Sequence, residues 1–390
     1  LHILYIHQYF STPNGKATTA AYDFVRRWAK AGHRITVLTS TARLVNEDVG
    51  GSVDGRRRHR FRVDGVDVLA YRVRYGQTMG FVRRLWSFFV FSMVSAWHAV
   101  RIADVDVVFA SSSPLTIGIP AIAARWLRGR PFVFEVRDVW PEVPIQMGVL
   151  RNRFLIGLAR YLERTIYRQS SAIIAVSPGM ADLVRRVAPP HKRVFMVPNN
   201  SDAESFRPDV DGASVRAQRG WDGKIVCVHT GAMGKVNGVD VLVRAAERLR
   251  DQPRVLFALI GEGSEKPRLV EEVRRRGLTN VQIADGIPKR DMPAMLAAAD
   301  LCLMTVTPVP ILEHNSANKF FDYLCAGRPV LLNYGGWQRE ALEEAGAGVG
   351  CRMGDDQEFF DRLAELVADP ERRRQMGVSA RRLALERFQC

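Results

Sequence analysis

Short apolar runs recur along this chain, and between them apolar residues return every three or four positions. The runs at 1–6, 35–38, 105–109, 132–136 and 172–176 are mostly continuous rather than alternating, the mark of strands buried on both faces of a parallel sheet. Helical spacing fills stretches between them, as at 18–31 and 153–169. A second series of strand-like runs begins after Trp221, at 224–229, 255–260, 281–283, 301–305 and 329–332. The polar, proline-bearing stretch at 197–209 separates the two series and reads as a linker. Alternation of strand and helix predicts an α/β chain of two Rossmann-like domains, 1–200 and 201–390, facing each other across a cleft. A length of 390 residues, too great for one typical core, agrees with two domains.

Composition narrows the class. A hydrophobic content of 47% and a charged content of 25% are those of a globular protein. The cysteines, Cys227, Cys302, Cys325, Cys351 and Cys390, are scattered and form no CxxC, which argues for a reducing compartment and against disulfides or structural zinc. The chain opens directly into a strand, so no signal peptide is expected. The net charge of +15 suits phosphorylated ligands, an anionic membrane surface or a solvated basic face. Nucleic acid is not expected as a partner, because there is no zinc finger, RNP motif or basic–aromatic repeat. Residues 85–97 are apolar apart from three serines and follow Arg83 and Arg84. That run is too short to cross a bilayer. With Phe81, Trp86, Phe88, Phe89, Phe91 and Trp97 it fits either a segment lying in the headgroup layer or a buried helix of the first domain.

Candidate chemistry concentrates at 313–329. Glu313, His314, Asn315 and Ser316 lead into a short helix that closes at Gly327 before a buried strand. Such junctions are where open α/β sheets hold ligands, and free N–H groups at a helix start attract anions. Asn315, Ser316 and Asn318 offer hydrogen bonds, Lys319 a positive charge, and Asp322 a carboxylate one turn on. The set fits a nucleotide diphosphate with its ribose; a well-capped surface helix is the plainer alternative. Two loops, 231–238 with Gly234 and Lys235, and 261–266 with Lys266, place small residues and one lysine at a strand's carboxyl end, where phosphates bind. An exposed charge is the alternative for each lysine. Arg137 and Asp138 follow a strand of the first domain and read as substrate contacts or as a structural pair. Asp104-Val105-Asp106 and Asp209-Val210-Asp211 match a metal-holding Asp-x-Asp pattern, but one leads into a strand and the other lies in the linker, so no metal site is expected.

Four stretches carry a resemblance. They are Ile3-Leu4-Tyr5-Ile6-His7-Gln8-Tyr9-Phe10 with Thr12-Pro13, Glu135-Val136-Arg137-Asp138-Val139-Trp140-Pro141-Glu142, Val197-Pro198-Asn199-Asn200, and 315–327. Together they resemble the retaining glycosyltransferases of the GT-B fold, family 4, and within it the fucosamine-transferase-like subgroup that builds bacterial surface polysaccharides. The resemblance covers nearly the whole chain. It implies a metal-independent transferase without a cofactor, working on a nucleotide diphosphate sugar, with uridine as the expected nucleoside. The implied acceptor is a polyprenyl-diphosphate-linked or free saccharide, and the implied location is cytoplasmic, peripheral on the inner face of the membrane.

Roles carry over position by position. Asp322 stands where the family holds the donor ribose, although glutamate is more usual there. The family's earlier carboxylate falls near His314, with Glu313 beside it. Lys319 and the amides near Asn318 lie by the donor phosphates or sugar, Lys235 and Lys266 by the leaving diphosphate. Ile287, in Asp285-Gly286-Ile287-Pro288, faces the base. Arg137 replaces a histidine that often contacts the donor sugar, Asp138 follows it, and Glu142 reaches for acceptor. The first loop, 14–21, keeps Gly15 near the donor and adds Lys16, but lacks the Gly-Gly pair and the arginine of relatives. On this reading Lys235, Lys266, Arg137 and Asp138 act at the reaction centre, where cations stabilise charge building on the leaving phosphate. The acceptor hydroxyl attacks from the leaving group's own face and gives its proton to a donor phosphate oxygen. A GT-B sugar-nucleotide 2-epimerase, and a non-catalytic nucleotide- or membrane-binding relative, are the alternatives.

Overall fold

The structure, a computed structural model, describes residues 1–17, 19–73 and 79–388, and for Phe81 the backbone alone. Thr18, the expected start of the first helix, and Cys390 lie outside the described residues. The chain divides into two units, Leu1–Pro198 and Asn199–Cys390.

The first unit contains β1 His2–Ile6, β2 Arg34–Ser40, β3 Arg58–Val63, β4 Val66–Tyr71, β5 Val107–Ser111, β6 Phe132–Val136, β7 Ala172–Ala175 and β8 Val194–Met196. Its helices are α1 Ala20–Lys30, α2 Asn46–Val49, α3 Phe81–Arg101, α4 Gly118–Arg128, α5 Glu142–Gln146, α6 Arg153–Gln169 and α7 Pro178–Val187. The strands lie in the order β3-β4-β2-β1-β5-β6-β7-β8, all parallel except β3, which runs antiparallel to β4. Residues from α3, α4 and α6, among them Phe91, Ala121 and Ile166, are buried with Leu4, Val108 and Phe134 on one face of the sheet. Tyr22 and Val25 of α1 join Ile3 and Val37 on the other.

The second unit contains β9 Ile225–Thr230, β10 Val255–Ile260, β11 Val281–Ala284, β12 Leu301–Met304, β13 Val330–Leu332 and β14 Gly348–Gly350. Its helices are α8 Ala213–Arg219, α9 Asp240–Arg248, α10 Lys266–Arg275, α11 Met292–Ala297, α12 Asn318–Cys325, α13 Trp337–Ala345, α14 Asp356–Ala368 and α15 Pro370–Leu383. Its order is β11-β10-β9-β12-β13-β14, all parallel. Both units are thus Rossmann-like, as the alternation predicts. In each, the first strand has neighbours on both sides, β2 and β5 for β1, β10 and β12 for β9. That reversal of strand order opens a crevice at the strands' carboxyl ends, the usual ligand position in such sheets.

Three details differ from or extend the sequence reading. Asn199 and Ser201, read as linker, are buried in the second unit. The Asn199 amide donates to the Ser316 carbonyl (2.5 Å) and the Ser201 hydroxyl to Asp322 (2.7 Å). The basic stretch around Arg58 belongs to the edge strand β3, whose Arg58, Arg60 and Arg62 point outward while His59 is buried, an arrangement that blunts an edge against further pairing. The Asp-x-Asp carboxylates have structural partners: Asp106 accepts from the His2 N–H (2.6 Å), Asp209 faces Arg207 (3.3 Å), and Asp211 accepts from the Ala213 N–H (2.8 Å). Cys227, Cys302, Cys325 and Cys351 are free and buried.

Candidate functional site

At the β9–β12 crevice of the second unit the loops are locked by close backbone contacts. A Cβ on Gly261 would lie 1.7 Å from the Gly231 carbonyl oxygen, and one on Gly263 would lie 2.2 Å from that of Met233. Only glycine lets the loops after β9 and β10 approach so closely. Gly231 itself has φ +104°, and a Cβ there would stand 3.5 Å from Lys319 Cε. Lys319, in the first turn of α12, therefore reaches across to the end of β9.

Lys319 is half-buried, and its ammonium donates to His229 Nε2 at 3.3 Å. His229 Nδ1 lies 3.2 Å from the Leu303 carbonyl, which can only accept, so Nδ1 carries the proton and Nε2 accepts. Burial, then the charge of Lys319, pushes the His229 pKa well down, which keeps the ring neutral. Desolvation pushes Lys319 itself down to about 7. No carboxylate faces its ammonium among the described residues. Nearby in sequence, the buried oxygens Ser316 Oγ and Asn318 Oδ1 have no hydrogen-bond partner among the described residues. An uncompensated cation, the Ser316 hydroxyl and the start of a helix can serve an anion, and Asn318 Oδ1 can accept from a hydroxyl.

The other predicted residues of this unit lie on the surrounding loops. Asp322 is buried and joins Ser201 through one oxygen and the Lys289 ammonium through the other (2.5 Å). Lys289 also stands 4.6 Å from the Phe206 ring centre. Glu313 accepts from the Gly335 N–H (3.1 Å) and so braces the turn before α13. His314 is half-buried beside it. The Asn315 amide donates to the Leu312 carbonyl (2.6 Å) and its oxygen accepts from the Ala317 N–H (3.2 Å), which shapes the approach to α12. Gly234 donates its N–H to Asn237 Oδ1 (3.0 Å). Lys235 is exposed, and its loop is tied to the end of β12 by the Thr307 N–H donating to Val236 (3.1 Å). Lys266 is ion-paired with Glu262 (3.3 Å) and with Asp285. Desolvation alone would lower its pKa, but the hydrogen bonds to Asp285 and Glu262 outweigh that and hold it above the ordinary lysine value. Ile287, on the loop after β11, is half-buried.

In the first unit the crevice at β1 and β5 collects a second polar set. Gly15 is buried, and a Cβ there would stand 2.3 Å from Ser11 Oγ. Lys16 is exposed on the same loop. Arg137 and Asp138 do not form the structural pair considered from sequence. The Arg137 guanidinium meets Glu135 (3.3 Å) and the Arg137 backbone N–H donates to Ser112 Oγ (2.9 Å), while Asp138 accepts from the Ser113 hydroxyl. Glu142, in the first turn of α5, faces Arg160 (3.5 Å).

Three residues escaped sequence reasoning as site groups. Lys289 directly follows the turn expected to face the base, and only the fold brings it to Asp322. His7 is buried with Nδ1 unpartnered among the described residues, and burial, helped by Arg137, pushes its pKa down to about 3. Gln8 is fully buried with neither amide atom partnered among the described residues. Polar side chains that follow a parallel strand directly, as His7 and Gln8 follow β1, were the available signal.

Comparison with known proteins agrees with the fold of two Rossmann-like units. Residues 16–200 match the glycosyl transferase 4-like domain, and residues 213–383 match glycosyl transferases group 1. The chain is 29% identical over 290 residues to the alpha-maltose-1-phosphate synthase of Mycolicibacterium smegmatis, covering 70% of this chain and 72% of that one. It is 27% identical over 184 residues to WcaI of Escherichia coli, a glycosyl transferase named for colanic acid biosynthesis, covering 46% and 45% of the two chains. Among solved structures, Anabaena HepE in complex with UDP-glucose superposes with a TM-score of 0.71 at 18% identity, covering 100% of this chain and 95% of that one. Two family matches that share out most of the chain between its two Rossmann-like units lead to one conclusion: the chain belongs to the GT-B glycosyltransferases of the GT4 type.

Proposed function

We propose that this glycosyltransferase moves a hexosyl or N-acetylhexosaminyl group, with retention, from a UDP-sugar to a lipid-linked or saccharide acceptor in bacterial surface polysaccharide synthesis. The observation that carries the reading is Lys319, a desolvated amine faced by no carboxylate among the described residues, at the carboxyl end of β9. A leaving diphosphate would supply the missing negative charge, and the charge it develops during transfer is what such a cation stabilises. Asp322, one turn along α12, holds the ribose; each of its oxygens keeps a lone pair beyond those used by Ser201 and Lys289. Lys235, exposed at the rim, adds a second cation for the diphosphate. His7, Gln8 and Arg137 supply hydrogen bonds at the crevice of the first unit, where the acceptor binds.

The choice of UDP draws support from HepE, solved with UDP-glucose, and the polysaccharide context from the relative named for colanic acid biosynthesis. The acceptor is held at the cytoplasmic membrane surface, and the protein works there peripherally. Among the described residues no helix is long and apolar enough to cross a membrane. Incubation with a panel of nucleotide sugars, with and without a polyprenyl-diphosphate-linked sugar, tests the proposal. Transfer from a UDP-sugar only when acceptor is present is the expected result. Isomerisation of the donor without acceptor would establish an epimerase instead, and binding without turnover a non-catalytic relative.

A further inference from the structure

The helix α3 is apolar on both sides. Toward the sheet it buries Phe88, Phe91 and Ala99, together with Ser87, Ser92 and Ser95. Toward solvent, Val82, Trp86, Phe89, Met93 and Trp97 follow at helical spacing and are between 38% and 77% exposed. Serines inside and tryptophans outside reverse the usual amphipathic order, so folding of this unit does not account for the stripe. Trp86 and Phe89 stack at 5.7 Å, and the Arg101 guanidinium sits 3.4 Å from the centre of the Trp97 ring.

The stripe has continuations. Along α6, Phe154, Leu158 and Tyr161 lie about one turn apart and are 77%, 55% and 69% exposed. At the end of α4, Trp126 and Leu127 are 64% and 68% exposed. All three helices cover the same face of the sheet, and α4 packs against both others. Their outward sides therefore belong to one layer. Its charge is one-sided. Arg83 and Arg101 on α3, Arg125 and Arg128 on α4, and Arg153, Arg160, Arg164 and Arg168 on α6 are exposed. The only acidic residue in the three helices is Glu163, which is buried.

We propose that the outer faces of α3, α4 and α6 together form a docking surface for an anionic lipid bilayer. The proposal rests on the reading of a membrane-held acceptor given above, and it names the surface and its partner. Aromatic side chains on helices that lie flat insert to headgroup depth, while arginines keep their heads at the lipid phosphates. A second copy of the chain is a poor occupant, because this face would set arginine against arginine with no exposed carboxylate from the three helices to compensate. A bilayer carrying negative headgroups complements both features at once.

Flotation with vesicles of phosphatidylcholine alone, and with about one-third phosphatidylglycerol, tests the proposal on the full chain. Wild type is expected to float with the anionic vesicles only, and less as salt rises. Three variants divide the surface: Trp86→Ser/Phe89→Ser/Trp97→Ser on α3, Phe154→Ser/Leu158→Ser/Tyr161→Ser on α6, and Arg153→Glu/Arg160→Glu/Arg164→Glu. Each is expected to weaken partitioning by at least about tenfold. Calorimetric UDP binding, expected to be unchanged in all three, confirms that they fold. Failure of wild type to bind anionic vesicles at low salt overturns the proposal, as does normal partitioning of both α6 variants. A lipid-free dimer that the α3 variant dissolves overturns it too, by assigning the face to a second copy. Failure of wild type to bind anionic vesicles while it still binds UDP refutes this surface alone, whereas absence of UDP binding in wild type refutes the donor reading.

Discussion

The ammonium of Lys319 stands 3.3 Å from Nε2 of His229, whose other nitrogen donates to the Leu303 carbonyl. The ring is thereby fixed as a neutral acceptor and cannot compete for the anion. When protonated, the lysine carries a charge that no carboxylate among the described residues offsets.

That charge sets a pH dependence. The folded pKa of Lys319 is about 7, below the ordinary lysine value, so between pH 7 and about 10 the unfolded chain binds more protons than the folded one. The group therefore destabilises the fold at low pH and is relieved as pH rises through that window. Lys319→Met should raise stability by about 1–2 kcal/mol at pH 6, with the gain shrinking toward pH 10. Thermal unfolding of both proteins across that range provides the check, and a gain that stays level with pH would contradict the assignment.

Asp322 offers a separation of ribose binding from packing. Asp322→Asn should weaken UDP by about 1–3 kcal/mol while leaving pyrophosphate binding unchanged. It should also cost stability, since Lys289 loses its carboxylate partner. Equal weakening of UDP and pyrophosphate would make Asp322 a structural residue only.

Lys235 and Lys266 should differ. Lys266 is already held by Glu262 and Asp285, whereas Lys235 is exposed at the crevice. Lys235→Ala is expected to lower turnover by roughly tenfold to a thousandfold and Lys266→Ala by less. Steady-state kinetics with saturating acceptor would show it, and the reverse order would move the diphosphate toward Lys266.

Gln8 should exchange stability for function. A buried amide without partners costs about 1–3 kcal/mol, so Gln8→Met should leave the melting temperature unchanged or higher while lowering transfer to acceptor. A destabilised variant with normal transfer would show that the amide is satisfied in the fold and idle in the reaction.

The sequence disclosed most of the architecture because its strands are continuous apolar runs. Phe132–Val136 and Val255–Ile260 coincide with the predicted runs for that reason, as does the helical period over Arg153–Gln169. The β3–β4 pair was hidden because Arg58, Arg60 and Arg62 resemble a solvated charge run until their alternation with buried positions is seen. At the site, Lys319 and Asp322 were visible because four residues of local helix bring them to one stretch. Lys289 was not, since its bond to Asp322 joins positions far apart in the chain. The outward apolar face of α6 was also hidden, because periodicity locates a stripe without saying which side the core takes.

The most direct measurement is calorimetric titration of UDP at pH 8 in two buffers of different ionisation enthalpy. At that pH the free Lys319 is mostly neutral, and a bound diphosphate should restore its proton. The account predicts uptake approaching one proton per UDP, abolished in Lys319→Met together with about a tenfold or greater loss of affinity. UDP binding without proton uptake, and with the same affinity in Lys319→Met, would contradict it.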